Sequence, residues 1–244
     1  MNSEFFNVYG DSKRADAYAS LEFPGTYYLA YRDLPHIIDS HVTGKYALDF
    51  GCGAGRSTRF LKKLGFDSVV GVDIAEQMLI QARDRDPNGD YRLVCDGDLS
   101  EIGCESYDLI LSVFTFDNIP TMDKKVTLFR SLKQLLKSGG RIISLVSSPD
   151  IYVNEWASFS TSRFPENRTA VSGDKVRIVM LDVKDSRPVE DIIWSNEDYL
   201  EVYRRAGLKS IKKYDPMASS DEPYNWVSET TIAPWAIYVL ERDE

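Results

Sequence analysis

The chain has 244 residues, 43% of them hydrophobic, which is enough to bury the core of one α/β domain with additions. Its 29 basic and 38 acidic residues give a formal net charge of -9, and this charge opposes the capture of a nucleic acid. There is no apolar stretch of about 18 residues and no basic-then-apolar leader, and the three cysteines form no C-x-x-C pair. The sequence therefore predicts a cytoplasmic protein without a membrane span, a disulfide framework or a zinc knuckle.

The N-terminal segment, residues 1–44, is rich in aromatic side chains and precedes the first predicted sheet strand. Phenol hydroxyls and a guanidinium need polar partners when they are buried, so core packing alone accounts poorly for Tyr27-Tyr28, Tyr31 and Arg32 together. We predict that the segment forms a helical lid. Its two histidines have no acid or cysteine at metal-ligand spacing, and no metal site is predicted.

A glycine-rich turn follows the first apolar strand, with Gly51, Gly53 and Gly55 in alternation. A second apolar strand ends in Asp73, about 20 residues further on, as in sites that hold an adenosine cofactor. A dinucleotide site needs the spacing G-x-G-x-x-G so that a pyrophosphate can sit against a helix N-terminus. Arg56 stands where the third glycine should be. The pattern thus disfavours an NAD-dependent reductase, an alternative that nicotinamide binding tests.

Short apolar runs alternate with helical patterns through residues 45–147. The predicted elements are strands at 69–72, 109–112 and 142–146 and helices at 75–84 and 123–136. A Ser-Gly-Gly motif at 138–140 is expected to end the second helix and open the third strand. The alternation predicts a doubly wound parallel sheet with helices on both sides, which binds its ligands at the carboxyl ends of the strands.

The pattern changes after residue 147. Strands at 175–183 and 189–194, separated by Arg187-Pro188, predict an antiparallel hairpin that caps the sheet edge. The last part of the chain is predicted to form a helix at 197–205 and strands at 208–214 and 235–240. We divide the single compact domain into a lid, a core, an inserted cap and a C-terminal part, with bounds 1–44, 45–147, 148–194 and 195–244.

These motifs together resemble the class I S-adenosylmethionine-dependent methyltransferases, whose first motif is an acidic residue followed by G-x-G-x-G. The resemblance covers roughly residues 45–147, in the family's order and at its usual intervals. It rests on Asp49 with the glycine turn, on Asp73, on Asp96-Gly97-Asp98-Leu99 and on the runs 107–112 and 136–143. It implies an α/β fold with a seven-stranded, mostly parallel sheet whose last strand is antiparallel. It also implies S-adenosyl-L-methionine as cofactor and S-adenosyl-L-homocysteine as product.

The resemblance assigns contacts at the adenosine end of this cofactor. Asp73 would accept both ribose hydroxyls, as strand-end acids do in dinucleotide sites. Asp98 would accept from the adenine amino group, with Asp96 as the competing acid. The apolar side chains expected against the ring are Ile74, Met78 and Leu99, and Val113 is a further expected cofactor contact.

At the methionine end, Gly51 and Gly53 would border the cofactor, and Asp49 would contact its ammonium group directly or through water. The alternative for Asp49, compatible with the first, is a cap on the glycine turn that accepts backbone N–H bonds. Arg32 or a tyrosine hydroxyl of the lid, such as that of Tyr28, would meet the methionine carboxylate, because arginine matches a carboxylate bidentately.

For the methyl acceptor, the resemblance points to residues 113–120, just after the fourth strand. Asp117 and Asn118 are the polar members of this segment, and Asp117 is predicted to deprotonate or orient the acceptor. Capping of the turn before Pro120 is an equal alternative. Tyr18 of the lid and Trp226 and Glu229 of the C-terminal loop are candidate acceptor contacts, although Trp226 would instead serve to seal the sheet edge.

The resulting hypothesis is an enzyme that transfers a methyl group to a small-molecule acceptor, at a nitrogen or oxygen nucleophile, by in-line displacement. Positioning alone supplies on the order of 7–11 kcal/mol in such reactions, so a general base is helpful and not required. No nucleic acid or membrane partner is expected, and the oligomeric state is left open. The alternatives are a protein or tRNA methyltransferase and a cofactor-binding module without transfer activity.

Overall fold

A computed structural model describes residues 23–95, 98–103 and 106–243 of the chain. Its helices are α1 (Thr26–Arg32), α2 (Leu34–His41), α3 (Arg56–Lys63), α4 (Glu76–Arg85), α5 (Met122–Leu135) and α6 (Asn196–Arg205). Its strands are β1 (Tyr46–Phe50), β2 (Ser68–Asp73), β3 (Asp90–Leu93), β4 (Tyr107–Val113), β5 (Leu136–Ser147), β6 (Phe159–Ser160), β7 (Lys175–Met180), β8 (Val189–Ile192), β9 (Leu208–Tyr214) and β10 (Trp235–Arg242). The predicted elements are thus present, with ends displaced by a few residues.

Seven strands form one twisted sheet in the order β3-β2-β1-β4-β5-β10-β9. Neighbours from β3 to β5 pair in parallel, whereas β10 pairs antiparallel with both β5 and β9. This confirms the predicted α/β class, the mostly parallel sheet and the antiparallel last strand. The strand order reverses direction at β1 and β4, where ligands bind in open α/β sheets.

Both faces of the sheet are covered, which explains why its central strands are apolar throughout. Alternate residues of a strand point to opposite faces: Leu109 and Leu111 belong to one buried cluster, while Ile110 belongs to the other. The first cluster includes side chains of α1 and α2 and of the inserted segment. The second includes side chains of α5 and α6.

The inserted segment forms a second, three-stranded antiparallel sheet in the order β6-β7-β8. The predicted hairpin corresponds to β7 and β8, which pair Ile178 with Val189. Strand β6, which the sequence analysis did not predict, adds Phe159 opposite Met180. It has only two residues, too few to show an alternating pattern.

The glycines at 139 and 140 lie within β5 and not ahead of it, which corrects the expectation for this motif. Helix α5 ends at Leu135 and β5 begins at the next residue. Gly139 has a φ of +77°, and a Cβ at Gly140 would lie 2.9 Å from the carbonyl oxygen of Tyr107. The glycines therefore permit an irregular register between β4 and β5. In the described ranges, no helix is long and apolar enough to cross a membrane.

Candidate active site

A cavity of about 550 Å³ lies at the carboxyl ends of the parallel strands. The last residues of β1, β2, β4 and β5 all line it. The inserted sheet contributes Ile178, Met180 and Val189 to the same wall. The cavity thus lies between the edge of the main sheet, where the sequence motifs meet, and the inserted segment.

The glycine turn forms one side of this cavity. Gly51 has a φ of +75°, and a Cβ there would lie 2.0 Å from the Thr115 hydroxyl oxygen. Gly53, with a φ of +51°, also lines the cavity. The backbone N–H groups of Gly51 and Cys52 both donate to the carbonyl of Val72, at 2.9 and 3.0 Å. Glycine is therefore required for the close approach of the turn to Thr115, which follows β4, and the turn is fixed to the end of β2.

Asp73 lies at the end of β2 and faces the cavity. Its Oδ2 accepts from the backbone N–H of Gly53 at 2.7 Å, and its Oδ1 accepts from that of Ala75 at 2.9 Å. Burial raises the pKa of this carboxyl. Each carboxylate oxygen has a second lone pair, so the geometry is compatible with the predicted contact to two ribose hydroxyls.

Asp49 is fully buried beneath the glycine turn. Its Oδ2 accepts from the hydroxyls of Ser57 at 2.7 Å and Thr58 at 2.6 Å. These donors are side chains, so the backbone cap proposed as its alternative role is not what the structure shows. Oδ1 is buried and has no hydrogen-bond partner among the described residues. Burial raises the pKa of Asp49 to about 6, and an ammonium group nearby would supply the missing donor and counter-charge.

Arg56 lines the cavity directly after the glycine turn. Its guanidinium carbon lies 5.1 Å from the ring centre of Tyr27 and 5.2 Å from that of Tyr31, and both rings also line the cavity. The sequence analysis noted Arg56 only as a break in the dinucleotide pattern. Its position as the first residue of α3, directly after the glycine turn, was the available signal.

The structure does not bring Arg32 or Tyr28 to this site. Arg32 donates to Asp33 at 2.8 Å and to Glu222 at 2.6 Å. Tyr28 packs on Tyr224, with ring centres 5.1 Å apart. Neither lines the cavity, which corrects the expectation that these two side chains meet the cofactor.

At the adenosine end, Ile74 and Met78 line the cavity as expected, and Val94 joins them. Leu99 is buried in the core instead. Asp98 is exposed, and its Oδ1 accepts from the backbone N–H of Ser100 at 2.9 Å, which lowers its pKa. Neither residue borders the cavity, which corrects both expectations; Asp96, the competing acid, lies outside the described residues.

Asp117 is buried on a 3₁₀ turn, Thr115–Asn118, that follows β4, and both it and Asn118 line the cavity together with Val113. The Ser147 hydroxyl donates to Asp117 at 2.8 Å, as does the Ser147 backbone N–H at 3.1 Å. The Tyr199 hydroxyl donates from 3.4 Å. These donors come from other elements, so a cap on the turn before Pro120 does not describe this residue. Burial raises the pKa of Asp117 to about 6.

Glu229 and Trp226, two of the expected acceptor contacts, make hydrogen bonds within the protein instead. Glu229 is fully buried and accepts from the Thr26 hydroxyl at 2.6 Å, the Ala157 N–H at 2.7 Å and the Val227 N–H at 2.8 Å. The indole N–H of Trp226 donates to the carbonyl of Ser219 at 3.1 Å. Neither residue lines the cavity, which corrects both expectations. Tyr18 lies outside the described residues.

Sequence reasoning predicted the inserted hairpin as a cap but did not name the residues that the inserted segment contributes to the cavity. Asp191 of β8 and Tyr152 line it, and the Tyr152 hydroxyl donates to Asp191 Oδ2 at 3.1 Å. Phe114 and Trp235 add aromatic wall. The acidic pair Glu190-Asp191 within the otherwise apolar run 189–194 was the available signal for Asp191. In the described part of the chain, no cluster of three or more His, Cys, Asp or Glu side chains is arranged to hold a metal ion.

A methyltransferase-domain family model matches residues 48–144. A ubiquinone biosynthesis O-methyltransferase of Nitrosococcus oceani is 30% identical over 184 residues, which cover 72% of this chain and 70% of that protein. An N-demethylindolmycin N-methyltransferase of Streptomyces griseus is 27% identical over 204 residues, covering 82% of this chain and 84% of that protein.

Solved structures with the same fold include the CcbJ methyltransferase of Streptomyces caelestis, with a TM-score of 0.65 and 17% identity, covering 94% of this chain and 96% of that one. An S-adenosylmethionine-dependent methyltransferase described as putative, from Listeria monocytogenes, has a TM-score of 0.64 and 19% identity, covering 89% of this chain and all of that one. The chain belongs to the S-adenosylmethionine-dependent methyltransferases, and S-adenosyl-L-methionine is its cofactor.

Proposed function

We propose that this methyltransferase acts on a small-molecule acceptor, at a nitrogen or oxygen atom, within the cavity at the strand ends. The observation that carries the proposal is the composition of the cavity wall, which combines Tyr27 of the N-terminal helix, Met180 of the inserted sheet and Trp235 of the last strand. A cavity of about 550 Å³ is within the range of small-molecule sites. Relatives named for an indolmycin precursor and for ubiquinone biosynthesis support the same class of acceptor.

In this proposal the chain holds the cofactor through the glycine turn and five side chains around it. Asp73 accepts the ribose hydroxyls, Arg56 binds the methionine carboxylate, and Asp49 balances the ammonium group. Ile74 and Met78 contact the adenine ring. The bound cofactor supplies an electrophilic methyl group on a sulfonium.

Asp117 is proposed to act on the acceptor. Its carboxylate is buried beside the cavity, and a pKa raised to about 6 leaves it ionised at neutral pH yet able to take up a proton. General bases typically contribute about 10²- to 10⁴-fold, whereas positioning supplies the larger part, on the order of 7–11 kcal/mol. Asp117 and Asn118 thus orient the acceptor and assist its deprotonation.

The test uses cofactor carrying a labelled methyl group and a cell extract depleted of cofactor. We expect label in the small-molecule fraction with the wild type and none with Asp73→Ala, which should also lose S-adenosylhomocysteine binding in calorimetry. Asp221→Asn, at an exposed position of the C-terminal loop, is the control and should behave as wild type. Label in protein or RNA would contradict the proposal. Cofactor binding without transfer to any fraction would indicate a binding module.

A further inference from the structure

A fully buried lysine lies behind the acceptor side of the cavity. Lys125 is near the start of α5 and has no exposed surface. It does not line the cavity, and none of the contacts proposed for the cofactor or the acceptor uses it. A lysine is almost never fully buried unless its charge is paired, so its ammonium group must have partners within the protein.

The first partner of Lys125 is the turn that carries Asp117. Lys125 Nζ donates to the backbone carbonyl of Phe116, the residue before Asp117 on the 3₁₀ turn after β4. The backbone N–H of Ile119 donates to the same carbonyl from 3.3 Å. The turn also brings Asn118 to the cavity. The lysine therefore fixes, from α5, the segment that presents both polar side chains to the acceptor.

Aromatic rings enclose the ammonium group of Lys125. Its Nζ lies 5.1 Å from the ring centre of Trp194 and 5.3 Å from that of Tyr199, and 6.0 Å from that of Phe116. Aromatic faces attract cations. The rings also keep water away from the ammonium group, so its charge is screened less than it would be at the surface.

The charge of Lys125 acts on Asp117 and on Asp191 of β8. The other titratable groups that interact with Asp117 are buried phenols, those of Tyr152, Tyr199 and Tyr203. Burial raises the pKa of each phenol, so all three are neutral at physiological pH. Asp123 and Lys124 line the cavity from exposed positions, where solvent screens their charges. Lys125 is thus a buried cation that favours the ionised form of Asp117.

We infer that Lys125 is a positioning residue for methyl transfer: it anchors the turn that carries Asp117 and Asn118, and it keeps the Asp117 carboxylate ionised at neutral pH. This inference rests on the proposed function, in which Asp117 takes up a proton from the acceptor. Burial opposes the ionised carboxylate and a nearby cation favours it. Without the charge of Lys125, the carboxyl group would be protonated at neutral pH and could not serve as a base.

Lys125→Met tests the inference, because methionine is similar in length and has no charge. In this variant the Phe116 carbonyl keeps the Ile119 N–H as a donor. The titration of Asp117 is followed by NMR with isotope-labelled aspartate and bound S-adenosylhomocysteine, and the signal missing from Asp117→Asn identifies it. We expect a pKa of about 6 in the wild type and one at least about one pH unit higher in Lys125→Met.

Lys133→Met is the matched control, because it makes the same substitution further along the same helix at a position that does not line the cavity. It should leave the pKa of Asp117 as in the wild type. Binding of S-adenosylhomocysteine in calorimetry shows that Lys125→Met is folded. With the labelled cofactor and cell extract, the acidic limb of methyl transfer should move to higher pH in Lys125→Met and stay in place in Lys133→Met.

The reciprocal measurement uses Asp117→Asn and decides the question even if Lys125→Met does not fold. Isotope-labelled lysine reports the titration of Lys125. Burial lowers the pKa of Lys125 to about 7, and the charge of Asp117 opposes this effect. Loss of that charge should lower the pKa further, by an amount similar to the rise at Asp117 in Lys125→Met, because the coupling of two sites is reciprocal.

A pKa of Asp117 that is unchanged in folded Lys125→Met, or a pKa of Lys125 that is unchanged in Asp117→Asn, overturns the inference. An acidic limb that stays in place in folded Lys125→Met, or an equal effect of Lys133→Met, does the same. Both pKa values are measured without an acceptor. Failure of the proposed function is therefore distinguishable, since it would appear as label in protein or RNA.

Discussion

At the scale of single residues, Arg56 and Arg32 differ in their expected effect on cofactor binding, because Arg56 lines the cavity and Arg32 does not. Replacing Arg56 with Ala would remove the proposed charge-assisted contact to the methionine carboxylate, worth about 1.5–3 kcal/mol. We therefore expect S-adenosylmethionine to bind about 10- to 100-fold more weakly to Arg56→Ala in calorimetry. Arg32→Ala should stay within about twofold of wild type, since Arg32 is paired with Asp33 and Glu222 away from the cavity. The reverse ranking would restore Arg32 as the carboxylate ligand.

Asp117 should determine the acidic limb of the pH profile. A base must be ionised to accept a proton, so with its pKa raised to about 6 by burial, kcat/KM should fall as pH drops below about 6. Asp117→Asn should lower kcat by about 10²- to 10⁴-fold and remove this limb. The wild type and the variant must be compared with the same acceptor, because an amine acceptor itself titrates and contributes its own pH dependence to kcat/KM. An unchanged limb in Asp117→Asn would assign the ionisation to another group.

Residues near the motifs could be placed from the sequence, and residues fixed by distant contacts could not. Asp73, Gly51 and Gly53 follow from local spacing, because strand, turn and strand are consecutive in the chain. Arg32 pairs with its neighbour Asp33 and also with Glu222, which is 190 positions away, so no local pattern indicates the second of these pairings. Asp98 likewise matched the family's spacing, but its position is exposed and away from the cavity.

At the scale of elements, α1 is held in place by Glu229. The Glu229 carboxylate connects Thr26 of α1 with Ala157 of the inserted segment and with its own loop. In Glu229→Gln, an amide N–H₂ must face at least one of these donors, and a buried mismatch costs about 1–3 kcal/mol. We expect the free energy of unfolding to fall by that amount in urea titrations.

The control for this prediction is Asp221→Asn in the same loop, where the side chain is exposed and no loss of stability is expected. Cofactor binding should be unaffected in Glu229→Gln, because Glu229 does not line the cavity. A stable Glu229→Gln protein with impaired acceptor binding would return Glu229 to the acceptor site.

Among the elements, those with a clear apolar or alternating pattern were predicted correctly, whereas the two-residue strand β6 was not. The central strands have continuous apolar runs, and the hairpin of β7 and β8 has β-branched alternation around a proline. Strand β6 is defined only by its pairing with β7, which is a tertiary contact. The glycines at the start of β5 were assigned to a helix end because helix and strand follow each other without a loop, and sequence alone does not separate these cases.

At the scale of the whole molecule, cofactor binding should stabilise the fold. Ligand at 100 times its Kd adds about 2.7 kcal/mol, and for a chain of this size each kcal/mol raises Tm by about 2–4 °C. S-adenosylhomocysteine should therefore raise Tm by about 5–10 °C in a thermal shift assay. Asp73→Ala should lose the shift, and NADH should produce none with the wild type. A shift with NADH would contradict the cofactor assignment.

The overall architecture was predictable because a regular alternation of strands and helices leaves few ways to form a parallel sheet. The acceptor side of the cavity was not, because it is assembled from segments far apart in the chain. Asp191 and Tyr152, for example, are separated by 39 positions. Their approach depends on how the inserted sheet packs on the main one.

The second sheet also means that cofactor binding and acceptor specificity depend on different parts of this enzyme. The groups proposed to hold the cofactor lie on the main sheet and its glycine turn, while Asp191 and much of the apolar wall come from β7 and β8. Mutations in the insertion can therefore change which compound is methylated without altering how the methyl donor is held. In evolutionary terms, the range of acceptors can change through substitutions in the inserted sheet while the main sheet and its glycine turn keep the same methyl donor.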